Sequence, residues 1–337
     1  MMRRNHMPSV LLFFALTVVA CAQVTGPIMG YLPDGGTLRT MSGIPPAGSV
    51  GTAITPRGAF SRIEVSPDQT QALGVAADTG ALILYTIGSG ASVAVQGVAS
   101  APDRIVFSPS GTAAGLWNSS TRHFQLLNSV SATPAIHDID FSFTLSDPTS
   151  VAVSDDGQWM AAAWPFSLYA VGPSGYVILL PVSGAAEAVC FFHGRNDVAA
   201  ITANQVILVT DIAGAVAPNV IWSKPDDPPP ADPATTPPVQ VAVGLATSFD
   251  NRYLSVAGNL GALSTFDLAA GTSVGLNCVC SPASLYGMGG SLFRLTSLVD
   301  GVVKVFDAST NEDWFVPLAA PDPTASPMAT GSEGSQQ

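Results

Sequence analysis

The chain of 337 residues could hold two average domains, but single all-β rings reach the same length, so any internal repeat must set the domain count. Only 11% of residues are charged, while 32 glycines and 27 prolines supply many turns and leave no stretch patterned as a long amphipathic helix. The formal charge of -12, with two lysines (Lys224 and Lys304) and scattered arginines, repels phosphate backbones and anionic bilayers and argues against a nucleic-acid partner.

Taken in order, Met1 to Pro8 carries Arg3 and Arg4, and Val10 to Val19 is an uncharged apolar run followed by small residues. This predicts a secretory signal peptide over 1–22, because ten apolar residues are too few to span a bilayer as a helix. Ala20-Cys21-Ala22 has the small-x-small form of ordinary cleavage before Gln23. Val18-Val19-Ala20-Cys21 resembles a bacterial lipobox, which leaves open a lipid anchor at Cys21 and an outer-membrane lipoprotein. Ordinary cleavage is preferred, since the usual lipobox leucine is missing. Either route exports the protein to the periplasm or the outside. Export leaves Cys190, Cys278 and Cys280 in an oxidising compartment. A bridge from Cys190 to one of the pair and three buried strand thiols both fit. Cys278-Val279-Cys280 would set both side chains on one face of a strand, with no His nearby in sequence, so no metal site is assigned there.

Gly26 to Gly43 reads as a hairpin, with Pro27 to Leu32 and Thr37 to Met41 as strands around Asp34-Gly35-Gly36. It looks like the last two strands of an incomplete unit. Complete units begin with Ser61 to Gly90, three alternating runs separated by Ser66-Pro67-Asp68 and Asp78-Thr79-Gly80. Later units open their first turns at Ser108, Ser154, Phe192, Ser248 and Gly287, giving separations of 42, 46, 38, 56 and 39 residues. These surround the spacing of four-stranded propeller blades, about 40–45 residues. Six residues after each turn an apolar stretch follows, such as Met160-Ala161-Ala162. Third strands are read at ALILYTI, HFQLL, YVILLPV, QVILVTDI, ALSTFDL and VVKVFDA. The expected fold is all-β: a β-propeller of four-stranded antiparallel blades in one domain, 23–318. Six complete repeats plus the N-terminal hairpin favour seven blade positions, with a six-bladed ring and a separately packed hairpin as the alternative.

The long intervals have local causes. Lys224 to Pro238 (KPDDPPPADPATTPP) is an inter-blade insertion, because prolines cannot donate ladder hydrogen bonds. Ser131 to Pro148 extends another connection, and Pro165 to Gly172 is read as an insertion between second and third strands. Residues 319–337 lack the apolar content for a core and are expected to be disordered.

Strand ends such as Thr265-Phe266-Asp267 and Val305-Phe306-Asp307, with the Ser-Pro-Asp turns, resemble those of the divergent bacterial WD-like and YVTN-type propeller repeats. No unit has an intact Trp-Asp or the Gly-His pair. The resemblance implies the propeller fold and export, and it leaves function open.

Chemistry is sparse along the chain. His6 belongs to the signal, His123 starts a third strand, and His193 reads as a turn residue. His137-Asp138-Ile139-Asp140 groups an imidazole with two carboxylates on what reads as an inter-blade loop, without the further ligands a metal needs. Asp155-Asp156-Gly157 lacks the later acidic positions of a calcium loop and reads as a repeat turn. Asn118-Ser119-Ser120 is a glycosylation sequon with no consequence in a bacterium. No nucleophile elbow or phosphate-binding glycine motif occurs. No catalytic, cofactor-binding or metal residue is therefore assigned, and no cofactor is expected. The favoured reading is an exported, non-catalytic, monomeric scaffold that binds a protein or glycan. The alternative is an enzyme of lactonase-like or quinoprotein type with its site at the central axis, which would need polar side chains on strands facing that axis. Those positions read mostly as Ala, Val and Leu.

Overall fold

Each unit folds as a meander because its apolar runs alternate or are continuous and its turns carry residues that accept a left-handed backbone. The protein was analysed as a computed structural model that describes residues 26–44, 46–54, 59–223, 240–298 and 301–319. The first sheet holds β1 (Ile28–Asp34), β2 (Thr37–Ser42) and β3 (Ser49–Ile54). The second holds β4 (Phe60–Val65), β5 (Gln71–Ala76), β6 (Leu82–Thr86) and β7 (Ala91–Ala94). The third is built from β8 (Arg104–Phe107), β9 (Ala114–Asn118), β10 (His123–Leu127) and β11 (Ile136–Asp140), and the fourth from β12 (Ser150–Val153), β13 (Met160–Trp164), β14 (Ser167–Val171) and β15 (Val177–Leu179). Next come β16 (Ala186–Phe191), β17 (Val198–Thr202), β18 (Gln205–Thr210) and β19 (Ala217–Ser223), then β20 (Ala242–Thr247), β21 (Tyr253–Gly258), β22 (Ala262–Asp267) and β23 (Thr272–Asn277). The seventh sheet is β24 (Tyr286–Gly287), β25 (Leu292–Arg294), β26 (Val302–Asp307) and β27 (Glu312–Pro317). All pair antiparallel in sequence order, and the seven sheets stand as blades of one propeller ring.

A serine device repeats at the first turn of four blades. Ser66, Ser108, Ser154 and Ser248 are buried, and each hydroxyl accepts the N–H of the residue five further on. Three of them donate to a carboxylate two residues on: Ser66 to Asp68, Ser154 to Asp156 and Ser248 to Asp250. The turn thus closes with its buried donors satisfied. At the strand ends that carry the repeat resemblance, Asp267 accepts the N–H groups of Ala269 and Ala270, and Asp307 accepts that of Ser309.

The core is a set of slabs between neighbouring blades. Trp117, Phe124 and Phe141 of the third blade pack on Val153, Met160 and Trp164 of the fourth. Second strands such as β13 and β17 are buried at every position. Alanine is needed there because two blades converge on each strand near the axis.

The first blade fills the gap between blades seven and two. Leu32, Met41 and Val50 share a core with Val303, Val305 and Val316, and Leu38 packs with Phe60 and Ala72. The seven-position arrangement thus replaces the six-bladed alternative. Three of its details differ from the expectation. The N-terminal unit has three strands, because Ser49–Ile54 pairs with β2 beyond the Gly43 turn. In the fourth blade Ser167–Val171 is the third strand, paired with β13 across a two-residue turn, and the segment read as third is the fourth. The supposed insertion is simply a tight hairpin. Ile136–Asp140 is the fourth strand of blade three and not a loop. The signal region, the insertion at 224–238 and residues 320–337 lie outside the described residues.

At the far end of the chain Leu318 forms a parallel bridge to Val50, and the Ala319 N–H donates to the Val50 carbonyl at 2.7 Å. Among the described residues no helix is long and apolar enough to cross a membrane.

Candidate functional site

The first strands of the six four-stranded blades surround an axial cavity of about 670 Å³. No residue of the first blade lines it. Blades seven and two meet directly there instead: a Cβ added to Gly287 would stand 3.3 Å from Pro67 Cβ. The ring therefore has seven blades but six strands at its axis.

Turn hydrogen bonds fix which residues share a level along the cavity, since the N–H of each turn residue returns to the start of the next strand. One residue before the turn stand Val65, Phe107 and Thr247, while Val153 and Phe191 at the same level are buried in the slabs between blades. Two before it, Glu64 and Tyr286 stand among Val106, Ala152 and Ala246. Four before it, the cavity carries Arg62, Arg104, Ser150 and Ser284. The cavity is thus polar at the end where strands enter, and its charged side chains come from blades two and three. This corrects the expectation of an axis lined mostly by Ala, Val and Leu. Arg62 and Glu64 alternate with buried Ile63 along β4, so a strand at the axis leaves one face toward the cavity while its other face packs on a neighbouring blade.

This end sets two arginines, Arg62 and Arg104, beside two carboxylates, Glu64 and Asp103. The Asp103 carboxylate is taken up by Ser119, whose N–H donates at 2.7 Å and whose hydroxyl donates at 2.5 Å, and these bonds hold its pKa below the ordinary value. Arg104 donates to the Pro148 carbonyl at 3.3 Å, which fixes its guanidinium beside the cavity. Burial pushes the Glu64 carboxyl up, against the opposing pull of Arg294 and Arg62. Tyr286 is also raised, first by burial and then by Glu64. Behind Tyr286 lies Arg294, 6% exposed, its guanidinium carbon 4.5 Å from the tyrosine ring centre and its Nε without a partner. Burial lowers its pKa against the opposing pull of Glu64 and Tyr286, and it sets a third arginine beneath the wall.

The residues singled out in the sequence fall elsewhere. On β11 the two-residue period puts His137 and Ile139 on one face and Asp138 and Asp140 on the other, so the imidazole and carboxylates do not converge. Asp140 instead faces His123 at 3.7 Å, on an exposed edge, and accepts the Ser142 N–H. Asp155 ties blades together: it accepts the N–H and hydroxyl of Ser110 and the N–H of Gly194, and lies 3.7 Å from His193. Cys278 and Cys280 form a disulfide just after β23, while Cys190 is a buried free thiol. The structure departs both from a Cys190 bridge and from three free thiols, because the chain leaves the ladder at Asn277 and the two side chains are free to turn toward each other. Among the described residues no group of three or more His, Cys, Asp or Glu side chains could hold a metal ion. A separate apolar surface is formed where Phe143, Leu145 and Phe166 project, 68%, 95% and 96% exposed.

No protein-family model and no curated protein matches the chain. Among solved structures it is similar to apo AztD from Citrobacter koseri, with a TM-score of 0.53 and 11% identity over 86% of this chain and 93% of that one. It is also similar to Kuenenia stuttgartiensis hydrazine synthase, with a TM-score of 0.50 and 14% identity over 89% of this chain and 99% of the other. At these identities the likeness carries the fold alone, and 1533 solved chains share it, so it selects no activity.

Proposed function

We propose that this chain is an exported propeller of the WD-like or YVTN repeat type that acts as a non-catalytic binding scaffold in the cell envelope or outside the cell. The observation that carries this reading is the axial cavity. It is large enough for a small molecule, and its wall mixes apolar strand residues with polar and charged groups that converge at one end, where a ligand could be oriented. Export is supported by Arg3, Arg4, the apolar run Val10 to Val19 and Ala20-Cys21-Ala22. The Cys278–Cys280 bridge suits an oxidising compartment. The exposed Phe143, Leu145 and Phe166 offer a protein or glycan partner a contact surface outside the ring.

Expression in a Gram-negative host, followed by fractionation and mass spectrometry of the N-terminus, tests the address. A chain starting at Gln23 in the periplasm or medium supports it, an acylated Cys21 supports the lipoprotein form, and an uncut cytoplasmic chain overturns it. Turnover of a lactone panel by the purified protein, abolished by Glu64→Gln, would replace the scaffold with the enzyme reading, which draws on the raised Glu64 carboxyl at the axis.

A further inference from the structure

We propose that the Cys278–Cys280 disulfide is a redox site that oxidises a dithiol, with Cys280 as the sulfur attacked and Cys278 as the one that leaves. This goes beyond a binding role and does not depend on the axial cavity.

The bridge lies outside the sheets, on the connection between β23 and β24, and Val279 at its tip is 88% exposed. Opening it breaks no strand pairing. Its two halves are held differently. Cys278 is 6% exposed, packs with Leu263, Leu285 and Phe293 in the core between blades six and seven, and gives its N–H to the Gly261 carbonyl at 2.8 Å. Cys280 is only partly buried, and among the described residues its N–H has no hydrogen-bond partner. An incoming thiolate therefore reaches Cys280 more readily than Cys278, and access decides which sulfur is attacked.

The fold does little to keep this bond closed. A separation of two residues closes so short a loop that the bridge barely constrains the unfolded chain, and by linkage the native state barely protects the bridge. A bridge with one accessible sulfur and little support from the fold belongs with the exchange-active class. A thiolate of the donor attacks Sγ of Cys280, the bond to Cys278 breaks, and its electron pair leaves on Sγ of Cys278, which takes up a proton. A neutral thiol suits that buried place, and the Cys280 carbonyl stands 3.8 Å from Sγ as its acceptor. The donor's second thiolate then attacks its own partner sulfur in the mixed disulfide and releases Cys280, which is protonated in turn. Two electrons and two protons pass to the pair, and the donor leaves as a disulfide.

The test treats the native full chain with dithiothreitol, removes it by gel filtration, alkylates, and maps the labelled thiols by mass spectrometry. Cys278 and Cys280 are expected to be labelled in folded protein, with one dithiothreitol oxidised per bridge opened, while buried Cys190 stays unlabelled and reports that the ring has not opened. Reduction that waits for denaturant overturns the proposal. Glutathione disulfide then asks which sulfur is open. Cys278→Ser should form the mixed disulfide at Cys280 about tenfold or more faster than Cys280→Ser forms it at Cys278, since access sets the rate. Equal rates overturn the assigned order of attack. Reduction of the unaltered chain needs no variant, so the proposal stays testable if either serine chain fails to fold. Two free thiols at these positions in protein recovered from the periplasm remove the bridge, and the site with it.

Discussion

At Ser154 one hydroxyl donates to Asp156 and accepts the buried N–H of Trp159. Replacing it by alanine leaves that N–H without a partner inside the blade, and an orphaned buried donor costs about 1–3 kcal/mol. Ser154→Ala should therefore lower the unfolding free energy by that amount, read as a fall in the urea midpoint with no change in the slope of the transition. Cys190 makes the complementary case of a group silenced by its surroundings. Burial lifts its thiol far above the ordinary range, and thiolate is the reactive form. Alkylation at pH 8 followed by peptide mass spectrometry should find Cys190 unmodified in the native protein and modified in denaturant. Modification in the native state would show that β16 opens locally.

At the scale of the element, the first blade explains how three strands suffice where six neighbours use four. A strand edge left open beside the axis would invite another chain to pair with it. On β1 the Tyr31 N–H points away from β2 and is taken by the Gln69 side chain at 2.6 Å. Two residues further along the same edge stands Pro33, which has no N–H to offer. The edge is blunted, and Gly36 lets the blade sit tight against β4, since a Cβ there would fall 1.9 Å from the Phe60 carbonyl oxygen. Gly36→Ala should push the first blade from the second and cost about 1–3 kcal/mol or more by denaturant titration, whereas Gly35→Ala, with nothing near its Cβ, should feel only the strain of its positive φ.

The repeat made most of these elements readable from the chain alone. Turn serines and strand-ending aspartates sit at fixed offsets, so β4 to β6 and β20 to β22 could be placed from local pattern. Fourth strands were harder to see. Their residues are largely exposed, as in β7 and β23, and an exposed strand has no apolar alternation to betray it. Ile136–Asp140 was hidden in this way behind its charged residues. The axial arginines were visible as letters but not as a site. Arg62 and Arg104 each stand four residues before a turn serine, an offset that places them at one level of the ring only once six first strands are known to face the axis. The Cys278–Cys280 bridge depends on where the chain leaves its ladder, a boundary that periodicity does not mark.

For the whole molecule, acid should be the effective denaturant. Asp103 and Asp250 have pKa values lowered chiefly by side-chain hydrogen bonds from Ser119 and Ser248. Their stabilisation is complete above the unfolded carboxylate range, about pH 4, and is lost as pH falls through the lower folded values. Glu64 has the opposite sign. Its raised pKa favours folding while it is protonated, and that benefit disappears as pH rises through the folded value. Glu64→Gln should accordingly stabilise the ring at neutral pH and make little difference at pH 3, measured by urea midpoints across that range. Reduction of Cys278–Cys280 should matter less. A bridge two residues apart closes so short a loop that chain entropy assigns it only about 1.5 kcal/mol.

The joint between the first and seventh blades also sets a timetable. Leu32, Met41 and Val50 have no complete core until Val303, Val305 and Val316 arrive, and Val50 waits for Leu318 and Ala319 to take its outer edge. These partners are separated by most of the chain, so the step that joins them carries a large loop-closure entropy and should be slow. Until it happens, a nearly finished arc presents two unshielded blade faces to solvent. Folding time and the loss to aggregation at this joint should therefore rise together as Val316 is trimmed to alanine.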